Sequence, residues 1–299
     1  MIAVVVAAAL ATSSAGRAAT IPLTSCGATI PAGQEGVLQN DVVCTFRCSG
    51  DPSIECTYSD EEDACEGHGR CEPDAFLLED DATLNLNGHT IEMAYQAPGA
   101  YCLGAPSDPG RGRCTVTGPG TFAGSKGDAI GSLGADLFVR DVTIGRCDYA
   151  IATRGRLTAK GLVTLNDREN TVAALRGVRL RDSVIAGDYG VVTDGDASVV
   201  GVRVTAPGGI IAGGNVRGRK LYLSRFADVR ARHVALREVN AVPEEPFQSP
   251  SIVAERSLRL ADSSVVNIAS GRRPLLLRST CARSTIIGTA VSWGVCADD

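Results

Sequence analysis

In the stretch Leu137-Phe138-Val139-Arg140-Asp141-Val142-Thr143-Ile144, the aliphatic residues Leu137 and Val139 alternate with Phe138 and Arg140. This period of two is the signature of a β-strand with one buried side. Similar stretches recur at intervals of 16 to 24 residues, beginning at Leu157, Val178, Val200, Val216, Val234 and Leu258. The pairs predicted to point inward are Leu137/Val139, Val178/Leu180, Val234/Leu236 and Leu258/Leu260.

Self-similarity at this spacing predicts a solenoid. Helical repeats of similar length need amphipathic segments of about ten residues, which are not visible, and the Leu/Asn ladder of leucine-rich repeats is also missing. We therefore expect an all-β, single-stranded parallel β-helix of about 8–10 coils, in which each short strand pairs with its equivalent one coil away. The expected bounds of this body are residues 80–280.

The composition agrees with narrow stacked β-layers. Hydrophobic residues make up 44% of the 299 residues, but aromatic residues only 4%, and there are 34 glycines. The net charge is −5, and lysine occurs only at Lys126, Lys160 and Lys220. Since the chain has neither a basic tail nor an RNA-type aromatic motif, nucleic acid is not an expected partner.

The first residues predict export. Ile2 to Ala11 form an apolar run that is too short to span a bilayer, and the small residues after it offer cleavage sites after Ala15 or Ala18. We interpret residues 1–18 as a signal peptide, although no Lys or Arg precedes the apolar run. No later segment approaches 18 uninterrupted apolar residues. The expected protein has no membrane span and is secreted, periplasmic or at the cell surface.

Eleven cysteines support an oxidising compartment. They concentrate towards the two ends, and Asp148 to Thr280 contains none. We predict a Cys-rich N-terminal cap with an insertion at residues 20–79 and a C-terminal cap at residues 281–299. The disulfide candidates are Cys26, Cys44, Cys102, Cys114, Cys281 and Cys296. The odd count leaves one thiol, or one lipidated or intermolecular cysteine.

Cys26 has a second interpretation. Leu23-Thr24-Ser25-Cys26 resembles a bacterial lipobox, whose cysteine is lipidated. Arg17 and Pro22 separate it from the apolar run, which a lipoprotein signal would adjoin directly. A plain disulfide is the preferred interpretation.

Two pieces carry a family resemblance. One is Cys26-Gly27-Ala28-Thr29-Ile30 with Leu38-Gln39-Asn40-Asp41-Val42-Val43-Cys44, and the other is Ala82-Thr83-Leu84-Asn85-Leu86-Asn87-Gly88-His89-Thr90-Ile91. Together they resemble exported bacterial proteins of the right-handed parallel β-helix, pectin-lyase-like superfamily. The resemblance implies right-handed winding, a first coil opened by the Leu86–Ile91 segment, and a Cys26–Cys44 disulfide. It covers most of residues 26–296 and says little about activity, because this fold hosts lyases, hydrolases, epimerases, adhesins and binding proteins.

Aligning the repeats suggests a basic ladder. In several repeats, the residue directly after the second inward-pointing aliphatic residue is basic. Equivalent positions on consecutive coils of a β-helix lie about 4.8 Å apart. Such a row suits the repeated carboxylates or sulfates of an acidic polysaccharide or cell-surface glycan. The alternative is that Asp141, Asp182 and Glu238 neutralise these side chains as solvated turn charges. The ladder candidates are Arg140, Lys160, Arg181, Arg203 and Arg237, with Arg219 nearby.

An enzymatic alternative rests on Asp188, Asp194 and Asp196. Uronate lyases use carboxylates to hold calcium and a basic residue to remove a proton, a role open to Arg181 or Arg203. Turns rich in Asp and Gly produce the same pattern without function.

Three functions therefore stay open. The first is a non-catalytic binder of an anionic glycan that needs no cofactor, and the second is a polysaccharide lyase-like enzyme that uses calcium. The third is a structural envelope protein without a ligand. The scarcity of aromatic residues disfavours neutral glycans, which usually stack on aromatic platforms.

Overall fold

The computed structural model describes residues 20–48, 58–59, 64–65, 71–73, 75–93, 98–105, 108–109, 111–124, 127–145, 147, 149–165, 171–224, 227–242 and 251–286. All regular secondary structure in this part of the chain is β-strand. The predicted signal peptide and Cys296 lie outside the described residues. The described part of the chain contains no helical segment with the length and hydropathy that a bilayer crossing requires.

The strands follow one another in short segments. The first eleven are β1 (Thr20–Leu23), β2 (Thr29–Ile30), β3 (Glu35–Leu38), β4 (Val42–Cys44), β5 (Phe46–Cys48), β6 (Tyr58–Ser59), β7 (Ala64–Cys65), β8 (Cys71–Pro73), β9 (Phe76–Glu79), β10 (Thr83–Asn85) and β11 (Thr90–Met93). The next eleven are β12 (Ala100–Ala105), β13 (Asp108–Pro109), β14 (Arg113–Thr117), β15 (Thr121–Ala123), β16 (Asp128–Ser132), β17 (Asp136–Arg140), β18 (Thr143–Ile144), β19 (Tyr149–Thr153), β20 (Arg156–Lys160), β21 (Val163–Thr164) and β22 (Thr171–Ala174). The last eleven are β23 (Gly177–Arg181), β24 (Val184–Ile185), β25 (Val191–Thr193), β26 (Asp196–Val204), β27 (Ile210–Ala212), β28 (Asn215–Ser224), β29 (Val229–Val242), β30 (Ser251–Ala261), β31 (Ser264–Ser270), β32 (Leu275–Leu277) and β33 (Thr280–Ile286).

The strands stack into a parallel solenoid with three faces. Apart from the antiparallel β12–β13, β5–β8 and β6–β7 pairs, the strand pairs in the described residues are parallel and join equivalent segments of consecutive turns. Face 1 comprises residues 20–23, 35–38, 83–85, 113–117, 136–140, 156–160, 177–181, 196–200, 215–219, 233–237, 257–261 and 275–277. Face 2 comprises residues 42–44, 90–93, 121–123, 143–144, 163–164, 184–185, 203–204, 221–224, 239–242, 264–265 and 280–281. Face 3 comprises residues 29–30, 76–79, 100–102, 128–132, 149–153, 171–174, 191–193, 210–212, 229–231, 251–254, 267–270 and 283–286. This confirms the all-β solenoid, whereas its right-handed winding stays a prediction.

The stack extends on both sides of the predicted body. Thr83 of β10 pairs with Glu35 of β3, so residues 29–44 already form one turn ahead of the boundary expected at residue 80. At the other end, Val265 pairs with Cys281, which places residue 281 in a further turn. The segments between these turns vary in length, which is why a fixed repeat length in the sequence does not mark the first and last turns.

The core is a set of aliphatic columns inside the stack. All eight residues of the four pairs predicted to point inward are at most 3% exposed. Burying such side chains from consecutive turns against one another is the main favourable contribution to folding. The prediction from the period-two pattern, that Leu137, Val139 and their equivalents are buried, is therefore confirmed.

A left-handed residue marks the corner between faces 1 and 2. Eight successive turns have φ between 46° and 66° at this position. Non-glycine residues rarely adopt this conformation, and Asp is among those that tolerate it best. The repeated corner fixes which residue ends each face-1 segment. The corner residues are Asp141, Gly161, Asp182, Gly201, Lys220, Glu238, Asp262 and Arg278.

The structure contains the Cys26–Cys44 disulfide that the family resemblance implies, and also a Cys102–Cys114 disulfide. Because the Cys26 sulfur bonds to Cys44, it does not carry a lipid. Cys281 is also disulfide-bonded. Cys147 is a buried thiol that donates a hydrogen bond to the Gly145 carbonyl at 3.2 Å.

Candidate functional site

Basic residues end consecutive face-1 segments, directly before the corner. Arg140 pairs in register with Lys160, and Lys160 pairs with Arg181. All three side chains are exposed. Parallel strands lie about 4.8 Å apart, so these three residues form an even row along the solenoid.

The row is interrupted once and then continues. Arg181 pairs with Val200, Val200 pairs with Arg219, and Arg219 pairs with Arg237. We call Arg140, Lys160, Arg181, Arg219 and Arg237 the first basic column. It consists of a block of three cations and a block of two, separated by one aliphatic residue.

Arg203 does not belong to this column, and the prediction that placed it there is wrong. It lies on face 2, where it pairs with Val184 and Tyr222, and its guanidinium carbon lies 4.7 Å from the centre of the Tyr222 ring. The alignment that began a repeat at Val200 was out of register, since Ala197 is the residue that pairs with Val178.

A second basic column lies two residues away on the same face. Arg179 pairs with Ser198, Ser198 with Arg217, Arg217 with Ala235, and Ala235 with Arg259. Arginine therefore occupies every second turn of this column, and all three arginines are exposed. The alignment of the repeats in the sequence did not predict these three arginines. The signal was present in Arg179-Leu180-Arg181 and Arg217-Gly218-Arg219, because residues two apart in a strand point to the same side.

Face 1 is concave, and three adjoining concavities form one groove along it. Their volumes are about 640, 770 and 480 Å³. The first and second share Phe138 and Thr158, and the second and third share Asn215 and Arg217. Basic residues that line the groove are Arg113, Arg140, Arg156, Lys160, Arg176, Arg179, Arg217 and Arg259.

Carboxylates neutralise the ends of the first basic column. Arg140 Nε lies 3.2 Å from the Asp141 carboxylate. Arg237 Nε lies 3.4 Å from Glu238 and 3.1 Å from Asp262. A hydrogen bond from Arg278, helped by the charges of Arg278 and Arg237, holds the pKa of Asp262 below its usual value. At these two ends, the alternative of mutually neutralised turn charges describes the structure.

Other cations of the two basic columns are different. Within the described part of the chain, no carboxylate lies within 4.0 Å of the charged groups of six of them. Asp182 follows Arg181 directly but makes no ion pair with it, and its Oδ1 instead faces the position where Gly201 lacks a side chain. The six cations are Lys160, Arg179, Arg181, Arg217, Arg219 and Arg259.

The third concavity contains a polar pair. His233 Nδ1 lies 2.7 Å from Ser257 Oγ, and the two residues are in register on consecutive turns. On the preceding turns, Asp196 Oδ1 accepts hydrogen bonds from Asn215 N at 2.7 Å and Asn215 Nδ2 at 2.9 Å. These contacts tie the groove edge together between adjacent turns.

The structure does not bring together the predicted lyase residues. Asp188 lies between faces 2 and 3, whereas Asp194 lies between faces 3 and 1. Asp196 begins a face-1 segment, in register with Gly177, four residues before the position of Arg181. This offset is about 13 Å along the strand, at roughly 3.3 Å per residue. Among the described residues, no group of three or more His, Cys, Asp and Glu side chains could hold a metal ion.

Comparisons with protein-family models, with curated proteins and with solved structures found no match to this chain. The pectin-lyase-like resemblance thus stays a prediction that rests on the two motif pieces.

Proposed function

We propose that this protein is an exported, non-catalytic β-helix protein that binds an acidic polysaccharide or cell-surface glycan along the groove of face 1. The observation that carries the proposal is the set of six exposed cations in the two basic columns of face 1 that have no carboxylate partner in the described residues. Their register repeats a cationic position at the spacing of parallel strands. The Cys26–Cys44 and Cys102–Cys114 disulfides support function outside a reducing compartment.

The length of the groove favours a polymer as ligand. The basic residues of its lining extend from Arg113 to Arg259, which lie in the first and last of eight consecutive turns. Seven intervals of about 4.8 Å give roughly 34 Å. A small anion would contact one or two of these cations, whereas a linear polyanion contacts a whole column.

The chemistry of the groove favours carboxylate or sulfate groups. A guanidinium donates two parallel hydrogen bonds to such a group, and its charge is permanent. Threonine hydroxyls at Thr83, Thr115, Thr117 and Thr158 line the first concavity and can hydrogen-bond to sugar hydroxyls. These groups suit a charged sugar chain better than an apolar ligand.

The test is binding of the mature protein to polygalacturonate, hyaluronan, chondroitin sulfate and a neutral glucan, each at low and high salt. The same samples are followed for the absorbance of unsaturated uronates, with and without calcium. We expect salt-sensitive binding to the acidic polymers without growth of absorbance. Calcium-dependent absorbance would instead support a lyase, and no binding to any polymer would favour a purely structural protein.

A further inference from the structure

Two turns of the groove each present a pair of outward arginines. Arg179 and Arg181 lie in β23, and Arg217 and Arg219 lie in β28. The members of a pair are two residues apart, so their Cα atoms are separated by about 6.6 Å on the same side of the strand. The turn between the pairs has Ser198 and Val200 at these positions.

The four arginines therefore mark the corners of a rectangle, which we call the arginine frame. Its short side is the spacing within a pair, and its long side covers two strand separations, about 9.6 Å. All four side chains are exposed, and in the described residues none of them makes an ion pair. Ser198, between Arg179 and Arg217, lines the second concavity together with both of them.

A chain that runs along face 1 between the two basic columns passes between the two long sides of the frame, and Arg179 and Arg217 of one long side also line the second concavity. Each side then offers one guanidinium every two turns, with an uncharged residue between them. One sugar of an extended glycan advances the chain by about one strand separation, so two turns correspond to one disaccharide. The frame thus matches anionic groups that occur on both edges of the chain once per disaccharide.

We propose that the arginine frame recognises a sulfated glycan of alternating sugars that carries one carboxylate and one sulfate per disaccharide. This inference rests on the proposed function of the groove and adds the class of polymer. A homopolyuronate repeats the same group at every sugar and matches the uninterrupted block Arg140, Lys160 and Arg181 instead. The two polymers have the same average charge per sugar, so a preference between them reports on arrangement and not on charge density.

The experiment measures the dissociation constants of the mature protein for chondroitin sulfate and polygalacturonate, per disaccharide and at one ionic strength. We expect chondroitin sulfate to bind about tenfold more tightly, the effect of one charge-assisted hydrogen bond. In Arg179→Gln/Arg217→Gln this ratio should fall to about one, because one long side of the frame is lost. The charge-matched control Arg203→Gln/Arg230→Gln, on faces 2 and 3, should keep the wild-type ratio.

A second variant, Arg179→Lys/Arg217→Lys, retains the charge and removes the guanidinium forks. It should lose most of the preference while it still binds both polymers. Equal wild-type affinity for the two polymers would overturn the frame and leave the groove as a general polyanion site. Binding of neither polymer would overturn the proposed function itself.

Discussion

Arg181 and Val200 occupy the same position on consecutive turns of the solenoid. An aliphatic side chain therefore stands where the turns on either side carry Arg181 and Arg219. The first basic column is continuous from Arg140 to Arg181 and resumes at Arg219. A ligand that contacts the column must cross this gap.

Val200→Arg should close the gap and strengthen binding of polygalacturonate. One added exposed cation contributes up to about 1 kcal/mol, which is roughly fivefold in affinity at low salt. Calorimetric titration at two salt concentrations measures the gain, which should shrink at high salt. Val200→Gln provides an uncharged control. If the arginine variant binds no more tightly than the glutamine variant, the column does not contact the polymer.

Gly161→Ala should destabilise the fold by about 1–3 kcal/mol. Gly161 has a φ of 66°, and an added Cβ would lie 2.3 Å from Asp141 Oδ1. Chemical denaturation gives the free energy of unfolding. In the Asp141→Ala background the same substitution should cost less, because the contacting carboxylate is gone. An identical cost in both backgrounds would mean that backbone strain alone is responsible.

Cys102→Ser/Cys114→Ser should lower the free energy of unfolding by about 3 kcal/mol, from the entropy of the closed loop. The disulfide joins residues 12 positions apart and connects β12 on face 3 with β14 on face 1. Denaturation of the variant and of wild type, both without reductant, measures the loss. An unchanged midpoint would show that this end of the solenoid is stable without its disulfide.

Ser270→Ala should stabilise the protein by about 1 kcal/mol. The Ser270 hydroxyl is buried and is the one such side-chain group in the described residues without a hydrogen-bond partner. Ser132→Ala is the matched control, because Ser132 Oγ donates to the Ala135 carbonyl and accepts from Gly134 N. That control should be destabilising. A loss of stability in both variants would indicate that Ser270 has a partner in solution.

The local pattern was sufficient to predict the strands but not every register. Leu137 and Val139 alternate with the outward residues Phe138 and Arg140 because one side of the strand is buried, and this information is contained in eight residues. Val200-Gly201-Val202-Arg203 also alternates, yet it crosses a corner at Gly201, so its first residue lies on face 1 and its last on face 2. A corner that preserves the alternation cannot be located by hydrophobic period alone.

The candidate site was partly predictable for the same reason. Arg140, Lys160 and Arg181 follow well-aligned repeats and fall into one column, as expected. Arg179 and Arg217 can be assigned to one column only from the observed register, in which Ser198 lies between them and Ala235 follows. Asp188, Asp194 and Asp196 are close in sequence, but Asp188 lies between faces 2 and 3, Asp194 lies between faces 3 and 1, and Asp196 lies on face 1.

The most direct test of the groove compares two double variants with equal net charge. Arg181→Ala/Arg219→Ala removes two cations of the first basic column on face 1, whereas Arg203→Ala/Arg230→Ala removes two from faces 2 and 3. Affinity for polygalacturonate is measured over a salt series, since each cation that contacts a polyanion contributes roughly one to the slope of log affinity against log salt. We predict a weaker affinity for the face-1 variant only, together with a slope that is shallower by about two. Equal losses in both variants would contradict binding along face 1.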